Sequence, residues 1–530
     1  IHLDAHQALP QNFGQLELGS FGHRRAVAAV SAPVGNTARV LVAGEAVMFD
    51  GPWERSDDLR KLNGFLRFSN GSRDNGFAVT AMAYSGHWFA TDQIPQRAVD
   101  QGVVGRFGTL DPTDGGRAER FSLSARWAER TEEATSRVSA YLIKSDLRLF
   151  NNFTYFLDQP VLGDQFAQVD RRFIAGGAAS RTYFGDLSGL RSELTFGVQS
   201  RYDGIGTGLY KTVQRATLAT VREDDVSQLS IGGFAEHGLR WTSWLRTSLG
   251  ARADLYSAAV RSTLAANSGS DLDGIVSPKV SVVLGPWSRT ELYFNAGSGF
   301  HSNDARGTTT TIDPASGQPV PRTPFLVRSR GADLGLRTKP TKDITSTLSA
   351  FVLDFESEIV FVGDAGTTEA SRPSRRLGLE YSFHARLLPW LFLDLDAAYT
   401  HARFTQDDPA APGRFIPGAT EGVASAGLSF DDIWGGWFGG VKVRYFGPRP
   451  LVEDNSVRSG VRAPVSARLG YAFSDGLSVR VDAYNIFNER SHQIDYYYAS
   501  QLSGEVAPMG DVHFHPTEPR SFRLVVRKQF

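Results

Sequence analysis

The chain has 530 residues, 41% of them hydrophobic, with 56 Lys+Arg against 57 Asp+Glu and no cysteine. The charge balance excludes a global basic field for nucleic acid, and the missing cysteine excludes disulfide staples, thiolate metal sites and cysteine nucleophiles. No apolar run reaches the roughly 18 residues a membrane helix needs, whereas a barrel strand needs only about 9–11 alternating residues.

Residue 1 reads as mature sequence, without a signal peptide. The first stretch, 14–31, is long for one strand, and Ser20-Phe21-Gly22-His23 can form a tight hairpin inside it. Beyond it, strand-like runs recur with two kinds of connection. Short ones fall at 33–36, 70–75, 131–133, 185–188, 241–242, 286–287, 339–341, 388–389, 431–433 and 474–475. Long polar ones fall at 51–59, 91–116, 151–164, 204–225, 259–273, 301–326, 357–371, 405–417, 448–458 and 488–517. The two kinds alternate. In an antiparallel cylinder, alternate connections lie at opposite ends, so one end is trimmed and the other elaborate, as in outer-membrane barrels.

The strands carry two faces. Leu391, Leu393, Leu395, Ala397 and Tyr399 oppose Phe392, Asp394, Asp396 and Ala398; Leu477, Val479, Val481 and Ala483 oppose Ser478, Arg480 and Asp482; Arg462, Ser466 and Arg468 form an inward row. Charged residues repeated on the inner face mean a wet interior. A soluble sandwich would need a partner sheet for the apolar face, and no stretch with helical period can cover it. The last strand, 518–530, alternates likewise and ends on Phe530. Left free it is an edge; paired with the first strand it closes a barrel. Lys528 places that part of its apolar row near the membrane boundary. The fold expected is therefore all-β, a transmembrane antiparallel barrel of about 22 strands with both ends on the periplasmic side. Periodicity alone would allow one strand fewer.

Several boxes carry a family resemblance. Tyr484-Asn485-Ile486-Phe487-Asn488 resembles the Asn-Leu-Phe-Asn box of TonB-dependent outer-membrane receptors, and 518–530 resembles their final strand. Ser277-Pro278-Lys279 with Gly299-Phe300-His301-Ser302 is similar to their mid-barrel pair, and 374–380 to their R-G-x-E strand. Gly19-Ser20-Phe21-Gly22 and Pro33-Val34-Gly35-Asn36 resemble the opening hairpin and first periplasmic turn. The resemblance spans the chain in the family's order. It implies a plug domain ahead of the barrel, whereas Ile1-His2-Leu3-Asp4 resembles only the last plug strand; 1–13 is read as the link to a plug and 14–530 as the barrel. It further implies outer-membrane residence, coupling through the plug to the periplasmic TonB complex, contact with lipopolysaccharide and other outer-membrane lipid, and recognition of Phe530 by the barrel-assembly machinery. Further envelope subunits are possible partners, and no nucleic acid is expected.

Candidate binding residues lie in the long loops. The last loop holds His492, Asp495, Tyr496, Tyr497, Tyr498, Asp511, His513 and His515. His513 and His515 share a strand face, and two imidazoles with a carboxylate suit Zn, Cu, Ni or Fe. No evenly spaced third ligand accompanies them, so hydrogen-bonded packing is the favoured reading and no metal site is assigned. The tyrosine triplet can stack on a planar ligand or belong to the interfacial girdle. His301, Asn303, Asp304 and Arg306 can meet an anionic ligand where their loop leaves its strand, or form a hydrated loop base. Asp92, Asp111 and Asp114, near Arg97, Arg117 and Gly115-Gly116, offer carboxylates for Ca²⁺ without the spacing of an EF-hand, and a solvated turn is favoured. Ser382 and His384 share a strand face, a weak hint of hydrolase chemistry, and no G-x-S-x-G or H-E-x-x-H occurs. No cofactor is expected.

The function expected is uptake of a scarce, large nutrient, a ferric siderophore or other metal chelate. The alternative is a plugless passive pore or structural barrel within a larger complex.

Overall fold

A computed structural model describes residues 6–357, 359–362, 367–409 and 411–530. The opening residues of the expected 1–13 link, and parts of the expected 357–371 and 405–417 loops, lie outside them. Twenty-two antiparallel strands form one closed sheet. Closure is direct: Phe13–Gly19 pairs with Arg24–Val34 on one side and with Ser521–Gln529 on the other, Phe13 opposite Gln529 and Gly19 opposite Arg523. The Phe530 amide then donates to the Asn12 carbonyl at 3.0 Å. The chain end that sequence alternation left as an edge is thus zipped to the first strand.

The two faces separate as alternation requires. On Gly115–Arg130, Phe121, Leu123 and Trp127 point outward and are exposed, with Ser122, Ser124 and Arg126 turned to the lumen. Buried apolar residues gather in small clusters under the loops rather than in one core. Inside the seam the polar face bonds to itself: Arg25 donates to Glu17 at 2.5 Å and to Glu45 at 2.6 Å, and Asn63 also donates to Glu45. No described helix is long and apolar enough to cross a membrane, which is no restriction on strands.

The wall is uneven. Phe166–Leu187, Leu190–Val213 and Ala216–Arg240 run 22, 24 and 25 residues, whereas Phe13–Gly19, Val465–Ala472, Leu477–Tyr484 and Ser521–Gln529 run 7, 8, 8 and 9. This corrects one expectation. The polar stretch 204–225 is not an irregular loop: its two strands pair almost to the tip and turn at Gln214 and Arg215, both at positive φ (47° and 66°). Polarity there reflects strands standing clear of the bilayer with both faces wet. The 259–273 connection shortens likewise to 263–268, between Leu245–Ser262 and Gly269–Trp287.

Candidate functional site

On the tall wall, arginine and aspartate recur two residues apart on the lumen face. Residues i and i+2 of a strand share a face, so each arginine reaches its own strand's carboxylate. Arg172 donates to Asp170 at 2.6 and 3.1 Å, Arg201 to Asp203 at 2.6 and 2.7 Å, and Arg252 to Asp254 at 2.6 and 2.7 Å. Arg222 and Asp224 form the same pair on the strand between. Fork-on-fork geometry is the strong form of the charged hydrogen bond. Gly232, opposite Asp254, makes the last pair possible: a Cβ there would come within 2.2 Å of the Asp254 carboxylate and 2.3 Å of the Arg252 guanidinium.

All four of these strands and one loop enclose a cavity of about 310 Å³. Asp170, Arg172, Arg201 and Asp203 form its charged wall, Tyr256 is its aromatic, and Asp304 with Arg306 closes it from above. Asp304 caps the short helix Ala305–Thr309 by accepting from the Arg306 amide at 2.9 Å, and takes the Arg306 guanidinium at 2.6 Å. Burial alone would raise the Asp304 carboxyl, but the adjacent Arg306 charge brings it below the ordinary carboxylate range. Each cation is matched by a carboxylate. The cavity therefore offers paired donors and acceptors without a strong net field.

Of the expected residues, Asn303, Asp304 and Arg306 line this cavity. His301 stands at the outer end of Thr290–Ser302 with its ring 6.3 Å from Phe355. The expected residues of the last loop belong to a different body. Loop 485–520 folds as a hairpin, His492–Ser500 with Met509–Pro516, to which Ile94–Pro95 adds a third strand. The helix Gln96–Asp100 follows, and Arg97 fastens the assembly. It donates to Glu505 at 2.8 and 2.9 Å, to the Ser500 carbonyl at 3.0 Å and to its hydroxyl at 3.1 Å, and its amide donates to Asp511 at 2.9 Å.

His513 is fully buried in this body. Its Nδ1 lies 3.0 Å from the Asp511 carbonyl, which can only accept, so Nδ1 carries the proton and Nε2 accepts from the Ser500 hydroxyl at 2.7 Å. Burial lowers this imidazole to about 4, so it is neutral at physiological pH. Tyr498 stacks on its face at 3.7 Å, while Tyr496 and Tyr497 are exposed. His515 turns instead to Trp53, 4.6 Å away. The shared strand face therefore gives the two histidines separate partners. Asp92, Asp111 and Asp114 do come together, but around amides: Asn151 donates to Asp92, Asn152 to Asp111, and Gln165 to both Asp111 and Asp114. Burial, with Asp92 and Asp111 close by, pushes the Asp114 carboxyl well above the ordinary carboxylate range. Among the described residues no cluster of three or more His, Cys, Asp or Glu is arranged to hold a metal ion.

Ser382 donates to Asp396 at 2.8 Å and His384 pairs with Asp394 at 2.7 Å, each with its own carboxylate across the strand pair. No nucleophile–base hydrogen bond joins Ser382 to His384, the contact that hydrolase chemistry requires.

Comparison with known proteins agrees with the barrel. The chain is 24% identical over 189 residues to a pesticin receptor of Yersinia enterocolitica, a match covering 34% of this chain and 28% of that receptor. The fold superposes on the ferric citrate transporter FecA with a TM-score of 0.77 at 14% identity, covering 99% of this chain and 79% of that one. It superposes on the ferric yersiniabactin uptake receptor FyuA from Yersinia pestis with a TM-score of 0.77 at 15% identity, covering 99% and 81%. For the copper transporter OprC the TM-score is 0.75 at 18% identity, covering 99% and 81%. The family model described as "TonB dependent receptor-like, beta-barrel" matches residues 50–486. The chain belongs to this family of TonB-dependent, outer-membrane receptor barrels.

Proposed function

We infer that this chain is the barrel of an importer that captures a metal chelate of the siderophore class at its outer mouth. What supports the reading is the cavity of about 310 Å³ in the upper lumen wall, with fixed arginine and aspartate pairs and Tyr256 turned into it. Ligand-sized concavities with a few fixed polar groups are how small molecules are recognised. In this reading His301 and the exposed Tyr496 and Tyr497 meet the incoming ligand at the rim. Tyr498, Asp511, His513 and His515 hold the loop body that shapes the mouth. Residues 1–13 connect the barrel, from residue 14 onward, to a plug domain. TonB, acting on that plug from the periplasm, drives release, and Phe530 is read by the assembly machinery.

The test is uptake. A strain deprived of its other iron importers should gain growth on at least one ferric chelate of a hydroxamate, catecholate and citrate panel when it expresses the full protein. Arg201→Gln and Arg306→Gln should each weaken binding of that chelate roughly tenfold, the worth of one charged hydrogen bond. Rescue by no chelate, together with a large ungated conductance of the full protein in planar bilayers, would leave the passive pore in its place.

A further inference from the structure

The two sides of the lumen differ in charge. On the tall wall Arg172, Arg201, Arg222 and Arg252 each have a carboxylate of their own. The short wall, built from Trp437–Phe446, Val465–Ala472, Leu477–Tyr484 and Ser521–Gln529, is the reverse. Val441, Leu469, Val481 and Leu524 are exposed on its outward face, so their neighbours in sequence face the lumen. Register then sets a cation on every lumen level. Arg462 bridges to Phe446 at the mouth, and Arg444 and Lys442 follow on that strand. Arg468 and Arg523 share the next level, one on each side of Asp482. Arg480, opposite Gly470, stands one level lower, and Arg527, opposite Ser478, one level below that. Levels lie two residues, about 6.7 Å, apart, and the ladder runs about 33 Å from mouth to base.

The ladder holds one carboxylate, Asp482, and Arg480 takes it at 3.0 Å. Glu17, on the neighbouring strand, is held by Arg25 at 2.5 Å. Among the described residues Arg444, Lys442, Arg462, Arg468, Arg523 and Arg527 form no ion pair. Arg462 lies over Phe446 at 4.6 Å, Arg523 over Tyr484 at 4.9 Å and Arg527 over Phe13 at 4.0 Å, contacts that fix a guanidinium and leave its charge in place. The Nε atoms of Arg462 and Arg527 are buried without a hydrogen-bond partner. Lys442, Arg444 and Arg468 are exposed to the lumen. Like charges stacked at this spacing repel, and an anion beside them removes that repulsion.

We propose that this ladder is the track along which an anionic metal chelate crosses the lumen, and that its negative charge is what selects the cargo. Charge of one sign in a confined passage concentrates the opposite ion, as rings of arginine and lysine do in anion pores. The charge-paired cavity on the tall wall captures without that preference. The proposal rests on the import reading and adds to it the charge of the cargo and its path.

The test is uptake by the full protein of iron chelates that differ in charge. A ferric tricatecholate or ferric citrate, both anionic, should enter, and an uncharged ferric trihydroxamate should not. Arg444→Gln with Arg468→Gln should lower the maximal rate at saturating anionic chelate roughly tenfold, the low end of the gain that a field of one sign gives to the arrival of the opposite charge. Arg444→Lys with Arg468→Lys should keep the parental rate, because the charge acts and not the fork. Equal entry of the trihydroxamate, a parental rate in the Gln pair, or a Lys pair as slow as the Gln pair overturns the proposal and leaves import standing. Entry of none of the three chelates removes import and this proposal together. Leak of small ions through the resting Gln pair would give the cations to holding a plug closed and overturns the track.

Discussion

Arg97 donates two hydrogen bonds to Glu505 and two to Ser500, and its amide meets Asp511, so one residue ties helix to hairpin. Arg97→Met keeps most of the side-chain volume but leaves the Glu505 carboxylate without its cation. Breaking one side of such a pair costs about 3 kcal/mol. We expect amides of Met509–Pro516 to exchange with solvent roughly a hundred-fold faster, with the barrel's own melting unchanged. Exchange at the parental rate would show that the guanidinium is incidental. The same residue marks the reach of sequence reasoning. Inward Asp and Arg were legible from alternation in Leu477–Tyr484, where Arg480 and Asp482 indeed pair at 3.0 Å. The i, i+2 rule that makes Arg201 take Asp203 follows from the same alternation. Arg97 takes Glu505, 408 positions away, and no local pattern encodes a contact closed by two loops meeting.

Two elements of that loop body titrate in opposite senses. Burial lowers His513 to about 4, so the stability it contributes is complete above its ordinary value near 6.5 and is lost as the pH falls toward 4. Burial, against a hydrogen bond from Trp53, raises Asp57 to about 7, so its contribution is complete below the ordinary carboxylate range and is lost as the pH rises through 7. Trp53 links the two by packing on His515. We expect His513→Gln to remove the loosening of the loop body as pH falls from 7 toward 4, and Asp57→Asn to lessen its loosening as pH rises from 4 toward 7.5. The readout is exchange of Met509–Pro516 after correction for intrinsic rates; parallel slopes in the two variants would refute the assignment. The hairpin itself was half legible. The face shared by His513 and His515 was visible in the sequence, but not that Ile94–Pro95 would add to it, because a two-residue strand carries no period. The opposite error at 204–225 has a related cause: a strand wet on both faces loses the alternation that identifies strands.

For the whole molecule, the number of strands matters less than where the cylinder is weakest. The tall wall pairs strands of 22 to 25 residues, whereas the seam rests on a first strand of seven that meets a last strand of nine. Hydrogen bonds between neighbours scale with paired length, and the seam, seven pairs long, has no connecting turn to hold it as the equally short hairpins do, so opening should begin where the ends of the chain meet. That closure was readable from alternation in the last strand and from Phe530, but the unevenness of the wall was not, since it depends on how far each strand continues above the bilayer. Leu16 faces Val526 across the seam, and the chain has no cysteine to compete with an engineered pair. Opposed antiparallel residues lie about 4.5–5.5 Å apart at Cα, within the range a disulfide accepts. Leu16→Cys with Val526→Cys, oxidised, should raise the temperature at which the barrel loses its compact gel mobility by about 5 °C or more. The same bridge at Ala178 and Gln199, opposed on the tall wall, should change it little, because that stretch is still paired when the seam parts. If the two bridges raise it equally, opening is not confined to the seam. If only the tall-wall bridge does, the barrel fails first where its strands are longest, and paired length is not what sets its weak point.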